Sequence, residues 1–174
     1  MLLALSGAVS QGILWGIMVL GVFITYKMLD IADLTVDGSF ALGGCVAAVC
    51  SVGMGLDPLV AVLLGMLAGV VAGAVTGLLH TLFDIPAILA GILTQIALWS
   101  INLRVMGKSN TPLLNADTVF TRVASLLHVT QGMAALVVGI VVAVLAIVLL
   151  YWFFGTEIGS ALRATGQNED MCRA

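Results

Sequence analysis

Charged residues divide the chain into long apolar windows. Asp, Glu, Lys and Arg are absent from residues 1–26, 38–56, 58–83, 85–103 and 123–156. An α-helix needs about 20 residues to cross the hydrocarbon core of a bilayer, because each residue adds about 1.5 Å of length. The run LVVGIVVAVLAIVLL is continuously apolar, whereas a membrane β-strand alternates apolar and polar residues. The pattern therefore predicts an all-α membrane protein with about five transmembrane helices.

The polar residues between the windows place the helix boundaries. We expect helices over about residues 10–29, 37–54, 58–80, 86–105 and 131–154. Asp57 and Pro58 suit the N-cap and first turn of the third helix, and Pro86 opens the fourth. Residues 106–130 form the longest polar connection, part of which suits a short surface helix. The aromatic run at 151–154 is typical of the membrane interface.

A break in the helical pattern falls near residues 30–38, which read DIADLTVDG. Asp and Thr side chains compete for backbone hydrogen bonds, and Gly38 weakens a helix. We expect Thr35 or Asp37 to cap the second helix, since a carboxylate interacts favourably with a helix N-terminus. Broken helices in membrane proteins occur where they line a cavity or lie buried in protein.

A glycine stripe marks the third predicted helix. Gly65, Gly69, Gly73 and Gly77 recur at a spacing of four, which predicts that they share one helix face. Glycines at this spacing let a second backbone approach closely. Static helix packing is one interpretation, and an interface that moves while it lines a pathway is the other.

Composition supports the membrane assignment. Of the 174 residues, 61% are hydrophobic and 9% are charged, whereas soluble domains carry about 25% charged residues. The mean hydropathy is +1.22. The net charge of −3 comes without a basic cluster, so we expect no nucleic acid partner. The three cysteines form no CxxC pair and are interpreted as small packing residues.

Motifs for catalysis, metal binding and nucleotide binding are incomplete. The GKS at 107–109 lacks the glycine that a phosphate-binding loop needs five positions earlier, where Asn102 stands. His80 and His128 lie far apart, and neither has a second histidine at i+4. No GxSxG motif supports an intramembrane hydrolase. We therefore expect no catalytic residue, metal or cofactor in this chain. Asn102 and Arg104 suit either snorkelling to the interface or a polar contact at the mouth of a pathway.

Three segments resemble known sequences. They are GIMVLGVFITYKMLDIADLTVDGSFALGG, DIPAILAGILTQIALWSINLRVMGKSN and GTEIGSALRATGQNEDMCRA, and together they cover much of the chain. They resemble permease subunits of branched-chain amino acid and ribose-type ABC importers, and the second is similar to the tryptophan/tyrosine-type subgroup. The resemblance implies a homodimer of permeases in the lipid bilayer, two cytoplasmic ATP-binding subunits that bind the ATP, and an extracytoplasmic substrate-binding protein. The cargo would be a small solute, for which an amino acid is the family-level expectation.

The resemblance also implies an orientation in a bacterial plasma (inner) membrane. Charge alone does not choose one, because the basic residues are tied between the two sides. A cytoplasmic segment 156–174 would place the N-terminus and residues 106–130 outside. An amphipathic helix over about 158–165, followed by a turn at Gly166, would dock on the ATPase. The expected coupling residues are Glu157, Arg163, Thr165, Gly166, Asn168 and Glu169.

The broken segment would lie at the inner end of the translocation path. The residues expected there are Asp33, Thr35, Asp37, Gly38 and Ser39. A plain cytoplasmic turn is one alternative, and a cation site built on the three carboxylates of residues 30–37 is another. Family members are longer, so we expect a transmembrane domain over 1–155 followed by a truncated coupling loop. A secondary transporter or channel without an ATPase, and an inactive membrane scaffold, are the rival functions.

Overall fold

The described part of the chain is almost entirely helical. The computed structural model describes residues 2–28, 31, 33–113 and 116–167, and no strand occurs among them. The elements are α1 (Leu2–Phe23), a π-helical turn (Ile24–Met28), α2 (Thr35–Gly53), α3 (Pro58–Leu82), α4 (Ala87–Met106), α5 (Val119–Leu127), α6 (Gln131–Phe154) and α7 (Glu157–Gln167). Five of them (α1 with its π-turn, α2, α3, α4 and α6) are long and apolar enough to cross a membrane. The predicted all-α membrane fold is confirmed.

Two helices begin earlier than predicted. α1 starts at Leu2 rather than near residue 10, because the intervening residues include no charge or proline that would end a helix. It continues through the π-turn to Met28, and α2 begins at Thr35 rather than Asp37. The helix break therefore lies within residues 29–34, of which Leu29, Asp30 and Ala32 are outside the described residues.

α2 and α3 run antiparallel in a compact unit that comprises Asp33–Arg122. At one end the hydroxyls of Thr35 and Thr76 lie 3.0 Å apart. Further along, the two backbones nearly touch, since a Cβ placed on Gly65 would lie 2.5 Å from the carbonyl oxygen of Gly43. Glycine at both positions therefore permits an approach that a side chain would prevent.

α4 runs parallel to α2 on another side of the same unit. A Cβ on Gly91 would lie 3.0 Å from the backbone nitrogen of Leu34, which places the start of α4 beside the start of α2. At the other end of α4, the Met106 sulfur lies 3.3 Å from the Cys45 sulfur. Leu42, Ala72 and Leu98, one from each of the three helices, form the apolar centre of the unit.

The glycine stripe of α3 contacts α2 over only half of its length. Gly65 meets Gly43, and a Cβ on Gly69 would lie 3.7 Å from a backbone oxygen of α2. A Cβ on Gly73 or Gly77 would meet no atom of the described chain within 4 Å. Steps of four residues rotate by about 40° each around an α-helix, so twelve residues carry the stripe about 120° away from its partner. The buried face instead follows the steps of four and seven given by Ala61, Gly65, Ala72 and Thr76.

α1, α6 and α7 belong to a second compact unit. α1 packs against α6, where a Cβ on Gly139 would lie 3.5 Å from the Ile13 side chain. α7 follows α6 after a two-residue turn, in which the hydroxyl of Thr156 donates a hydrogen bond of 2.6 Å to the Phe153 carbonyl. The transmembrane helix α6 and the short amphipathic helix α7 are thus joined by a tight elbow.

Candidate functional site

The start of α2 is held by a carboxylate that precedes it. The backbone N–H of Thr35 donates a hydrogen bond of 2.8 Å to the Asp33 carboxylate. Leu34 occupies the N-cap position, and its apolar side chain cannot accept a hydrogen bond from the helix N-terminus. The prediction that Thr35 or Asp37 caps α2 is wrong, because the helix begins two residues earlier and Asp37 falls in its first turn.

Thr35 forms a buried polar contact with α3. Its side chain is 1% exposed, and its hydroxyl lies 3.0 Å from the hydroxyl of Thr76, which is 7% exposed. The Thr76 hydroxyl also donates to the Ala72 carbonyl of its own helix, at 3.3 Å. A hydroxyl buried among apolar side chains is stable only when it is hydrogen-bonded, so this pair fixes the start of α2 against α3.

Gly38 and Gly91 bring α2 and α4 close together beside this contact. A Cβ on Gly38 would lie 3.1 Å from the Leu98 side chain and 3.5 Å from the Cα of Gln95. The amide of Gln95 lies 3.5 Å from the Asp37 carboxylate, at the outer limit of a hydrogen bond. Asp37 is exposed, so its charge is available to a molecule that approaches this end of the unit.

The five residues predicted at the helix break therefore have different roles. Asp33, Thr35 and Gly38 hold α2 in place, and the Ser39 hydroxyl donates to the Val36 carbonyl of its own helix at 3.1 Å. Only Asp37 presents an exposed charge.

The cation site considered for the broken segment involves the carboxylates of Asp30, Asp33 and Asp37. Asp30 lies outside the described residues. In the part of the chain that the structure describes, no three His, Cys, Asp or Glu side chains come together as metal ligands would.

Several contact residues were not identified from the sequence. Thr76, Gly91 and Gln95 all face the start of α2, yet none belongs to a recognised motif. For Thr76 a signal did exist, since it is a lone polar residue within the glycine-rich part of α3. Gly91 and Gln95 gave none, because a neighbour on another helix cannot be inferred from local pattern.

The coupling residues predicted near the C-terminus lie mainly on α7. Glu157, Arg163 and Thr165 are exposed and Gly166 is half-buried. α7 continues through Gly166 to Gln167, so the predicted turn at Gly166 is wrong; a helix interior tolerates glycine at a modest cost. Residues 168–174, which include the predicted Asn168 and Glu169, lie outside the described residues.

The elbow between α6 and α7 is braced at two points. The Arg163 guanidinium donates a hydrogen bond to the Phe154 carbonyl, and it lies 5.8 Å from the centroid of the Phe154 ring. Gly159 is buried against the end of α6, where a Cβ would approach the Phe153 carbonyl oxygen and lie 2.6 Å from the Cα of Phe154. These contacts set the direction in which α7 leaves α6.

A second polar region lies at the opposite end of the unit Asp33–Arg122, which contains α2, α3 and α4. The Asp57 carboxylate, at the predicted N-cap position of α3, forms an ion pair with Arg122. This pair lines a cavity of about 420 Å³ together with Ser51 of α2 and Asp117 of the α4–α5 connection. The ion pair therefore joins the α2–α3 turn to the first turn of α5.

A second cavity, of about 450 Å³, lies among α2, α3 and α4 and is almost wholly apolar. Its one hydroxyl belongs to Thr94, which donates to the Ala90 carbonyl of its own helix at 3.0 Å. This cavity therefore offers packing surface and no free polar group for recognition.

Comparison with known proteins gives the family. A family model described as "Branched-chain amino acid transport system / permease component" matches residues 4–174. The chain belongs to this permease family. The family is a component of transport systems, and together with the five spanning-length helices it makes the chain a multi-pass membrane protein.

Two curated relatives align with most of the permease chain. A tyrosine transport system permease protein of Clostridioides difficile is 39% identical over 174 residues, which cover 98% of this chain and 55% of the relative. An uncharacterised protein of Rickettsia prowazekii is 30% identical over 164 residues, which cover 94% of this chain and 55% of the relative. The chain thus spans about half the length of the curated relatives it matches. No solved structure matches it significantly.

Proposed function

We propose that this chain forms part of the membrane-spanning subunit of an ABC importer for a small amino acid-like solute. Family membership is the observation that carries the proposal, and the tyrosine permease among its relatives favours an aromatic amino acid as cargo. ATP hydrolysis would occur on a separate cytoplasmic subunit. The complete transporter would contain two permease copies in the bacterial inner membrane, supplied by an extracytoplasmic substrate-binding protein.

α7 is the element best suited to receive the ATPase. Its apolar residues Ile158, Ala161 and Leu162 recur at helical spacing, and Ile158 is 68% exposed. An exposed apolar side chain on a short amphipathic helix fits a groove in a partner protein. The elbow at Phe154 would transmit movement of α7 to α6, because its braces leave little freedom between the two helices. In this arrangement the C-terminal end is cytoplasmic and the N-terminus is outside.

Replacing Glu157 would test docking on the ATPase more directly than replacing Arg163. The Glu157 side chain is exposed, and in this proposal it contacts the ATPase. Arg163 also braces the elbow, so its replacement would change the position of α7 as well as any contact. Gly166 and Thr165 lie on the same short helix, and the Thr165 hydroxyl donates to the Ala161 carbonyl at 2.9 Å.

Co-purification with the ATP-binding subunit tests the proposal. We expect the complete permease to retain its ATPase through detergent extraction, and Ile158→Asp to lose it. Ser160→Asp is the matched control, since Ser160 is exposed on another face of α7 and receives the same charge. Equal retention by both variants would remove α7 as the docking element. Uptake of amino acid without any ATPase would instead favour a secondary transporter.

A further inference from the structure

The short helix α5 has one apolar face and one polar face, and it is the most strongly amphipathic helix of the described chain. At about 100° of rotation per residue, its apolar side chains occupy an arc of about 160°. They are Val119, Phe120, Val123, Ala124, Leu126 and Leu127. Thr121, Arg122 and Ser125 occupy the opposite side. An apolar face of this width needs an apolar neighbour.

The described protein covers this apolar face incompletely. No residue of α5 is buried, and α5 packs extensively on no other helix of the described chain. Leu126 is 78% exposed and Leu127 is 53% exposed, whereas Val123 is half-buried. The described residues therefore leave the C-terminal end of the apolar face open.

A sharp turn separates α5 from the spanning helix α6. The N–H of Val129 donates a hydrogen bond of 3.2 Å to the Ala124 carbonyl, and His128 adopts a left-handed backbone conformation with a φ of +52°. These two features form a Schellman motif, which ends a helix. α6 begins two residues later, at Gln131. The chain therefore changes direction between α5 and the segment that enters the membrane.

The position of α5 beside the start of α6 places it at the boundary of the bilayer. The 24 residues of α6 measure about 36 Å, whereas the hydrocarbon core is about 30 Å thick, so the ends of α6 reach the headgroup layers. Exposed apolar side chains continue from α5 through the turn into the first turn of α6, since Val129 is 37% exposed and Met133 is 51% exposed. The open face of α5 is thus continuous with apolar surface of a spanning helix.

The charge of α5 is already neutralised within the protein. Arg122 is the one ionised residue of α5, and its guanidinium forms an ion pair with Asp57 of the α2–α3 turn. Amphipathic helices bind a membrane surface through buried apolar area and through attraction to anionic lipids. Because Asp57 balances the positive charge, the apolar side chains supply the attraction in α5.

We propose that the partner of the apolar face is the lipid bilayer itself. α5 lies along the membrane surface, with Leu127 and Leu126 among the acyl chains and Ser125 directed toward water. This arrangement holds α5 on the same side of the membrane as the α2–α3 turn, to which Arg122 is paired. It depends on the membrane fold and not on the cargo or the ATPase of the proposed function.

The accessibility of spin labels in a bilayer tests the proposal. In the full chain with its three cysteines replaced by alanine, a nitroxide is attached at Leu127→Cys or at Ser125→Cys, and the protein is reconstituted in phosphatidylcholine nanodiscs. Collisions with oxygen, which concentrates among acyl chains, are compared with collisions with a water-soluble nickel chelate. We expect a several-fold higher oxygen-to-nickel ratio at Leu127. Ser125 is the matched control because it lies about 160° from Leu127 around the helix.

Two outcomes of this measurement would overturn the proposal. Equal access of the nickel chelate to both labels would mean that the apolar face lies in water. A Leu127 label that neither reagent reaches would mean that protein, such as a second copy of the chain, covers the face. If the Leu127→Cys protein does not accumulate, Leu126→Cys takes its place, since that side chain belongs to the same face.

Arg122→Gln distinguishes a helix held by lipid from a helix held by its ion pair. The substitution removes the ion pair with Asp57 and leaves the apolar face intact. We expect the oxygen-to-nickel ratio of the Leu127 label to stay unchanged. A fall to the ratio measured at Ser125 would show that the ion pair keeps α5 in place, and lipid would then be rejected as the partner that holds it.

The lipid composition tests whether apolar insertion supplies the attraction. The ratio at Leu127 should be the same in phosphatidylcholine and in nanodiscs that contain phosphatidylglycerol, at low and at high salt, because α5 carries no net positive charge beyond the one paired with Asp57. Entry of the label among acyl chains only in the anionic nanodiscs would contradict insertion driven by the apolar face.

Discussion

The side-chain hydroxyls of Thr35 and Thr76 lie 3.0 Å apart in the interior of the unit formed by residues 33–122. Thr35 is the first residue of α2, and Thr76 lies on the buried face of α3. Their contact therefore holds the beginning of one spanning helix against the last third of another. The Thr76 hydroxyl can also donate to the Ala72 carbonyl. The Thr35 hydroxyl therefore depends more than the Thr76 hydroxyl on this contact for a hydrogen-bond partner.

Removing the Thr76 hydroxyl is expected to destabilise the protein more than removing that of Thr35. Thr76→Val leaves the Thr35 hydroxyl buried without this partner, at a cost of about 1 kcal/mol. Thr35→Val costs less, since Thr76 still donates to Ala72. The measurement is the free energy of unfolding in mixed micelles of mild detergent and dodecyl sulfate. Thr81→Val is the control, because that hydroxyl is exposed and donates only to Gly77 of its own helix. A larger loss in Thr35→Val would contradict this assignment of partners.

The sequence alone predicts that the spanning helices exist. It does not predict which residues of different helices are in contact. Charge-free windows are dictated by the cost of placing ionised groups in hydrocarbon, which acts on each helix separately. The partner of Thr35, in contrast, depends on how α3 is placed, and nothing in the local pattern around Thr35 specifies Thr76. The sequence places Asp33 near the helix break, but its role as the acceptor for the Thr35 N–H follows only from where α2 begins in the structure.

The glycines of α3 show the same limit. The spacing of four predicts one shared face, but a rotation of about 40° at each step separates Gly77 from Gly65. The face of α3 that packs against α2 follows Gly65, Ala72 and Thr76 instead, so only Gly65 and Gly69 of the stripe lie against α2. A sequence pattern gives the direction of each side chain, whereas the length of a contact is set by the crossing of two helices.

Alanine at Gly65 and at Gly73 should therefore have opposite effects. Gly65→Ala places a methyl group 2.5 Å from the Gly43 carbonyl oxygen, and separating the helices should cost about 1–3 kcal/mol. Gly73→Ala meets open space, and the higher helix propensity of alanine should leave stability unchanged or raise it by up to about 1 kcal/mol. Thermal unfolding of the two purified variants provides the comparison. Equal destabilisation would show that Gly73 packs against another part of the assembly.

Substitutions at Asp33 and at Asp37 should have different effects, the first on stability and the second on transport. Asp33→Ala removes the acceptor for the Thr35 N–H and should cost about 1 kcal/mol, whereas Asp33→Asn keeps an oxygen in place and should cost less. Asp37→Ala removes an exposed carboxylate and should leave membrane insertion and stability near those of the wild type. If Asp37 contacts cargo at the inner end of the pathway, the same variant impairs uptake in the complete transporter. Normal uptake by Asp37→Ala would leave that residue without a role in transport.

Gly159 provides the sharpest test of the elbow between α6 and α7. A methyl group there would overlap the Phe153 carbonyl oxygen and lie 2.6 Å from the Cα of Phe154, so both contacts are with backbone that cannot turn aside. Gly159→Ala must therefore displace α7, and we expect loss of ATPase co-purification while the spanning helices still insert. Gly132→Ala is the control, since a Cβ at that position of α6 meets no atom of the described chain within 4 Å. Because Gly159 itself offers no side chain to a partner, retention of the ATPase by Gly159→Ala would show that the angle of α7 is not what the ATPase recognises.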